Sequence, residues 1–149
     1  MRRLEPTLAM IEVVEIAAGD EARTWPVMAQ LRPHLTEAGY IEAVTRMRDS
    51  EGFRLAAAVI DGEVAGVAGF RVMEMLYSGR FLSIDDLVTD SRRRSQGVGK
   101  ALLDWLRLEA RRQGCDQIHL DSRLIRLDAH RFYEREGFEK IAYHFIGQA

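Results

Sequence analysis

"RRRSQGVGKALLDWL", residues 92–106, sets three arginines, two glycines and an amphipathic run side by side. The glycines suit a tight turn, and the apolar residues behind them recur at helical spacing. The stretch therefore reads as a turn feeding a helix, with the helix's first N–H groups free to face an anion. Two familiar phosphate loops are excluded. A Walker A loop needs Gly, four residues, then Gly-Lys-Ser/Thr; Gly99-Lys100 is followed by Ala101, and Arg94 holds the first glycine's place. The dinucleotide fingerprint G-x-G-x-x-G fails at its last position, where Leu102 stands.

Downstream, Gly99, Leu102, Leu103, Leu106 and Ala110 share one face of a helix running from Gly97 to Arg112, which Gly114 ends. "DQIHLDS" follows as a strand and "LDAHRFYERE" as a short helix stopped by Gly137. "EKIAYHFI", residues 139–146, alternates like a closing strand. Upstream, "FLSIDDLVT" (81–89) is a strand, and "FRLAAAVI" and "VAGVAGFRV" flank Asp61-Gly62, a strong hairpin signal. Residues 11–17 alternate like a strand. Gly19-Asp20 starts a helix to about Leu31, with Pro26 in its first turn, and a second helix covers about 36–50. The order β-α-α-β-β-β-α-β-α-β predicts a single α/β domain over residues 1–149, with a mixed, mostly antiparallel central sheet flanked by helices.

The chain has 149 residues, 47% hydrophobic and 30% charged, with a formal net charge of −2. That balance gives no reason to expect a nucleic-acid partner, so any anion site must be local. No apolar run reaches membrane-spanning length, and the first residues lack a signal peptide's apolar stretch, so a cytoplasmic protein without a membrane partner is expected. A single cysteine, Cys115, rules out an intrachain disulfide. His34, His119, His130 and His144 show no metal-ligand spacing, and no metal is expected. Cys115 reads as a small buried apolar residue and Trp105 as helix packing.

Three motifs in this order resemble the GNAT superfamily, the Gcn5-related N-acetyltransferases, over nearly the whole chain. They are Arg94-Ser95-Gln96-Gly97-Val98-Gly99, the strand "SIDDLVTD" before it, and Ala129-x-x-Phe132-Tyr133 followed by Gly137-Phe138. The resemblance implies an enzyme that moves an acetyl group from acetyl-CoA to an amine acceptor. It also implies that Ser95, Gln96, Gly97, Val98, Gly99 and Lys100 hold the coenzyme diphosphate, with Arg92, Arg93 and Arg94 supplying charge. Leu87 and Val88 would pair their backbone with the pantetheine amides, and an N–H on that strand would polarise the thioester carbonyl. Tyr133 falls where the family places a tyrosine close to the coenzyme sulfur, where a phenol can protonate a departing thiolate.

Carboxylates on that strand often bind the acceptor or take its proton, which makes Asp85 and Asp86 the candidates. Strand neighbours face opposite sides, and Leu82 and Ile84 look like a core face, so parity favours Asp85 for the cleft unless a bulge intervenes. One departure from the family stands out: where many relatives carry a coenzyme-bonding asparagine, this chain has Arg126, which can reach a phosphate or an acidic acceptor. Tyr40 and residues 73–77 (MEMLY) lie where the family builds its acceptor wall, though a core or loop role fits equally. Dimers are common among relatives, and a homodimer is compatible with the resemblance. Two alternatives remain open: a CoA-binding regulatory module without turnover, and an acyltransferase of the same fold with another acyl donor. The acceptor cannot be named from these residues.

Overall fold

Two alanine-containing strands, largely buried on both faces over their paired middles, form the centre of the protein. In the computed structural model, which describes residues 10–149, they are β2 (Arg54–Ile60) and β3 (Glu63–Met75). Asp61 and Gly62 join them with φ of 51° and 79°, the left-handed pair that a two-residue hairpin turn requires. β1 (Glu12–Glu15) adds antiparallel to β2, and β4 (Gly79–Thr89) antiparallel to β3. β5 (Gln117–Leu120) adds parallel to β4, giving a mixed five-stranded sheet in the order β1-β2-β3-β4-β5.

Helices cover both faces. A short 3₁₀ turn (Glu21–Thr24), α1 (Trp25–Leu31) and α2 (Glu37–Glu51) lie on one side, where Val27, Met28, Tyr40 and Val44 pack on Phe53, Leu55, Ala57 and Val67. α3 (Val98–Arg112) lies on the other, placing Leu102, Leu103, Leu106 and Ala110 against Ala56, Ala58, Phe70, Leu82 and Ile84. The apolar stripe read from the sequence is thus the buried face of α3. α4 (Leu127–Arg135) packs beside it through Phe132. Gly99 owes its identity to that contact, because a Cβ there would lie 3.0 Å from the Phe132 ring.

Two expectations are corrected. The first helix begins as a 3₁₀ turn, and Asp20 makes no capping bond with its side chain; α1 itself starts only at Trp25, with Pro26 in its first turn. The closing strand expected at 139–146 pairs with nothing among the described residues: Ile141, Tyr143, Phe145 and Ile146 are 72–91% exposed. A period-two pattern makes a strand only where an edge is available to complete its hydrogen bonds.

Candidate active site

The turn before α3 is built by backbone conformation. Arg94 is extended, Ser95 is left-handed at φ 64°, and Gly97, the N-cap of α3, is left-handed at φ 83°. The first bond of α3 runs from the Ala101 N–H to the Gly97 carbonyl, so the N–H groups of Val98, Gly99 and Lys100 precede the helical ladder. Among the described residues a Cβ on Gly97 would meet only Ile11, 4.0 Å away. The arginine row is divided in its work. Arg92 pairs with Asp90 at 2.9 Å and Arg93 with Glu63 at 3.5 Å, while Arg94 is exposed and has no carboxylate within 4 Å among the described residues. Lys100 is engaged by Asp104 at 3.0 Å. The free charge at the turn is therefore Arg94, together with the helix N-terminus.

Asp90, which the sequence reading passed over, holds this turn in place. Its buried carboxylate accepts from the backbone N–H of Arg92 at 3.1 Å and from the Arg92 side chain at 2.9 Å. These bonds hold its pKa down at about 2. Gln30 of α1 donates to Asp90 at 3.4 Å and accepts from the Ser91 N–H at 2.9 Å, tying α1 to the loop.

The strand leading into the turn offers a free backbone edge. β5 pairs with β4 only over Phe81–Ile84, whereas residues 86–89 pair with β3 alone. Adjacent residues of an antiparallel strand turn their N–H and C=O to opposite sides: the Asp90 N–H bonds the Ala65 carbonyl, so by alternation Val88 is turned to Val67 of β3, and Leu87 turns its N–H and C=O to the open β5 side.

The same strand decides the question of the two aspartates. Gly69 pairs with Asp86 and Phe70 with Ile84, which leaves Asp85 as the extra residue of a β-bulge. The bulge overturns the parity argument: Leu82 and Ile84 do face the α3 side, but Asp86 is turned to the α1/α2 side with Val88. Asp85 is occupied by Arg71, which bonds it from Nε at 2.8 Å and also reaches Glu51. Asp86 lines the cleft. Gly69 makes room for it, since a Cβ there would fall 2.6 Å from its Oδ2. Arg32, at the end of α1, donates to Asp86 Oδ1 through Nε at 2.9 Å. Burial nonetheless pushes the Asp86 carboxyl above the usual carboxylate range, with Arg32 opposing the shift.

Asp86 and Arg32 form the polar side of a pocket of ≈ 230 Å³ between α1, α2 and the sheet. Met28, Leu35, Tyr40, Val44, Met47 and Phe53 make its apolar walls, and His34 joins them at the rim. Tyr40 is buried, with its hydroxyl 2.7 Å from Thr24 Oγ1. Residues 73–77 instead reach the β3–β4 hairpin tip, seven residues or about 23 Å along the strand from Asp86. They do not join the pocket.

Tyr133 lies half-buried on α4 between Phe132 and Phe138, at ring-centre distances of 5.5 and 5.9 Å. Burial raises its hydroxyl above the ordinary tyrosine pKa, against the opposing charge of Arg126. The phenol therefore keeps its proton at neutral pH and remains a donor. Arg126 is the exposed N-cap residue of α4. The remaining singled-out residues have structural partners: His119 stacks on Phe81, His130 meets the Arg123 carbonyl, and His144 meets Asp121. Cys115 is free and buried, and Trp105 packs edge-on to Phe70. Among the described residues no cluster of His, Cys, Asp or Glu is arranged to hold a metal ion, and no helix is long and apolar enough to cross a membrane.

The sequence profile of the acetyltransferase (GNAT) family matches residues 16–138, from the end of β1 through Phe138. The chain belongs to the GNAT family. An uncharacterized N-acetyltransferase of Bacillus subtilis, YhdJ, is 33% identical over 91% of this chain and 97% of its own length. The aminoalkylphosphonate N-acetyltransferase of Salmonella typhimurium is 26% identical over 97% of this chain and 96% of its own. The aminoglycoside N-acetyltransferase AAC(6')-Iy, solved in complex with CoA, shares the fold at a TM-score of 0.86, covering 98% of this chain and 99% of that one at 14% identity. The chain is thus an acyltransferase by family.

Proposed function

We propose that this GNAT protein is an acetyl-CoA-dependent N-acetyltransferase, working in the cytoplasm on a compact primary amine that also carries an acidic group. The observation that carries the reading is the junction of two half-sites on β4. The open edge at Leu87 runs into the glycine turn, where Arg94 is free, and the same strand turns Asp86 into a mainly apolar pocket. In this reading residues 94–100 hold the coenzyme phosphates, with Arg93 and Arg126 at the rim. The open backbone edge at Leu87 aligns the pantetheine arm.

The chemistry follows from the two ends. An amine must lose its proton before it can attack a thioester, and Asp86, a carboxylate of raised pKa, is suited to take it. The nitrogen lone pair forms the new bond to the acetyl carbon while the carbon–sulfur bond breaks. Tyr133 supplies the proton to the departing sulfur, and the second proton that the acylated nitrogen sheds returns through solvent to the tyrosinate. An ammonium entering the pocket competes with Arg32 for Asp86, and the released guanidinium then needs an anion. A carboxylate or phosphonate on the acceptor supplies one with two-pronged geometry.

The test is a thiol-release assay with acetyl-CoA over matched amines that carry or lack an acidic group. Acetylation of the acidic amines, reduced in Arg32→Ala at the level of KM, supports the reading. Stabilisation by acetyl-CoA without turnover on any amine overturns the enzyme assignment; turnover with no preference for the acidic members, unaffected by Arg32→Ala, overturns the acceptor class.

A further inference from the structure

The pocket beside Asp86 carries its two charges side by side. Arg32 donates to Asp86 Oδ1 from Nε at 2.9 Å, and its Nη2 lies 2.8 Å from the same oxygen. Nη2 also donates to the Asp85 carbonyl at 3.3 Å, an anchor on β4 that does not depend on the Asp86 carboxylate. A ligand that engages Asp86 therefore leaves the guanidinium standing beside it. Apart from His34 at the rim, the rest of the pocket is apolar or already bonded. Met28, Leu35, Val44, Met47 and Phe53 form its walls, and the Tyr40 hydroxyl is taken up by Thr24.

The charged pair and the apolar walls constrain the acceptor in different ways. A carboxylate and a guanidinium in contact are best met by an ammonium and an anion that are themselves adjacent, laid antiparallel so that each charge faces its opposite. In an α-amino acid the nitrogen and the carboxylate carbon are about 2.5 Å apart, as standard bond lengths and angles require. Each added methylene lengthens that span, or makes the chain fold back on itself at an entropic cost. Beyond the pair, a substituent meets apolar walls, where a further charge finds no partner except at the His34 rim. We propose that the acceptor is an α-amino acid with an apolar side chain, its ammonium on Asp86, its carboxylate on Arg32 and its side chain among the apolar walls. The products are the N-acetyl amino acid, the free coenzyme thiol and one proton.

The volume fits this class. At ≈ 230 Å³ the pocket is smaller than the roughly 300–1,000 Å³ of sites for drug-sized ligands. A leucine or methionine suits that space, whereas a multi-ring amine exceeds it. A lysine of a protein substrate brings no carboxylate beside its ammonium, so Arg32 would gain nothing from it. Met28 and Met47, unbranched and polarizable, adapt to branched and linear side chains alike. The proposal rests on the enzyme reading above and narrows the acceptor from acidic amines at large to one arrangement of amine, anion and apolar group.

The experiment is thiol release by the full chain with acetyl-CoA in excess over leucine and methionine (both enantiomers), glycine, glutamate, lysine, leucinamide and γ-aminobutyrate. Leucine or methionine should exceed glycine, glutamate and lysine in kcat/KM by at least about tenfold, the scale on which an apolar pocket discriminates. Leucinamide, which keeps the side chain and loses the anion, should fall by a similar factor, and so should γ-aminobutyrate, whose charges are further apart. Ala43→Leu is the structural arm. Ala43 lines the pocket from a half-buried position on α2, and leucine is a good helix former there, so the variant should fold. It should shift the ratio of leucine to glycine use at least about tenfold toward glycine. Equal use of leucine and glycine, or of leucine and leucinamide, overturns the proposal. A preference for γ-aminobutyrate, glutamate or lysine, or a ratio that Ala43→Leu leaves unchanged, overturns it as well. In each of these cases thiol is still released, so the enzyme reading survives. No release from any member of the panel overturns the proposal and the enzyme reading together.

Discussion

Replacing Asp86 by asparagine removes one charge from the pocket and almost no volume. Gly69 still leaves room for the side chain, and the amide oxygen can still accept from Arg32, which now holds Asp86 Oδ1 at 2.9 Å. The stability change should be small for two opposing reasons. The buried carboxylate no longer has to be desolvated, which favours the variant, and Arg32 loses its counter-charge, which opposes it. Arg32 is 39% exposed, so water replaces much of that pairing, and the net change should stay within about 1 kcal/mol. The rate should respond far more. Loss of a positioned base costs roughly 10²–10⁴-fold. The pH profile carries the signature. Because desolvation lifts the Asp86 pKa, the wild type should gain kcat/KM as pH rises through a value above the ordinary carboxylate range, and Asp86→Asn should lose that limb. Asp85→Asn is the control. Asp85 anchors Arg71 at the bulge, so its loss should lower stability, by ~1–2 kcal/mol for a charged hydrogen bond, and leave the acid limb in place. An acid limb that survives in Asp86→Asn and disappears in Asp85→Asn refutes the bulge-based assignment.

Three further outcomes follow from the same geometry. Gly97→Glu adds a side chain and a negative charge at a left-handed position in the turn, so coenzyme binding should be lost. In the wild type, acetyl-CoA at 100 times Kd should add about 2.7 kcal/mol, and an unchanged thermal shift in the variant would dismiss the cradle. Tyr133→Phe should keep its place between Phe132 and Phe138 and lower kcat by roughly 10²-fold with little change in KM; since burial raises the phenol pKa, the wild type should show no loss of activity from Tyr133 ionisation below about pH 10. Asp90 has a folded pKa of about 2 against an ordinary 3.8, so its contribution to stability is present above about pH 4 and lost as pH falls through 2. Denaturant melts of Asp90→Asn should therefore differ from wild type at pH 7 and converge with it in acid.

The sheet and the turn before α3 were legible because they are local. Asp61-Gly62 needs two left-handed residues in a row, α3 shows its buried stripe in its spacing, and Gly97 caps that helix with positive φ. The site was less legible where a single residue changes the register. No side chain near Asp85 signals a bulge, yet one extra residue between the partners of Gly69 and Phe70 moves Asp86 to the other face. Arg32 and Gln30 reach the site from α1 across more than 50 residues of chain, and single-sequence spacing carries no information about such pairs. Gly99 was read for the turn and the helix face, and its missing side chain also admits Phe132 of α4, a packing reason that the turn motif does not disclose. The 139–146 segment shows the limit of periodicity itself: alternation predicts the ability to pair, and the partner edge decides whether pairing occurs.

The most direct test of the account is a steady-state assay of the purified chain with acetyl-CoA in excess over a panel of small primary amines, scoring free thiol release and acetylated product together. The account predicts matched yields of thiol and N-acetyl product for at least one compact acidic amine, abolished in Gly97→Glu and strongly slowed in both Asp86→Asn and Tyr133→Phe. Thiol release that the Gly97→Glu variant leaves intact, or product that forms at equal rates when Asp86 and Tyr133 are both replaced, would contradict it.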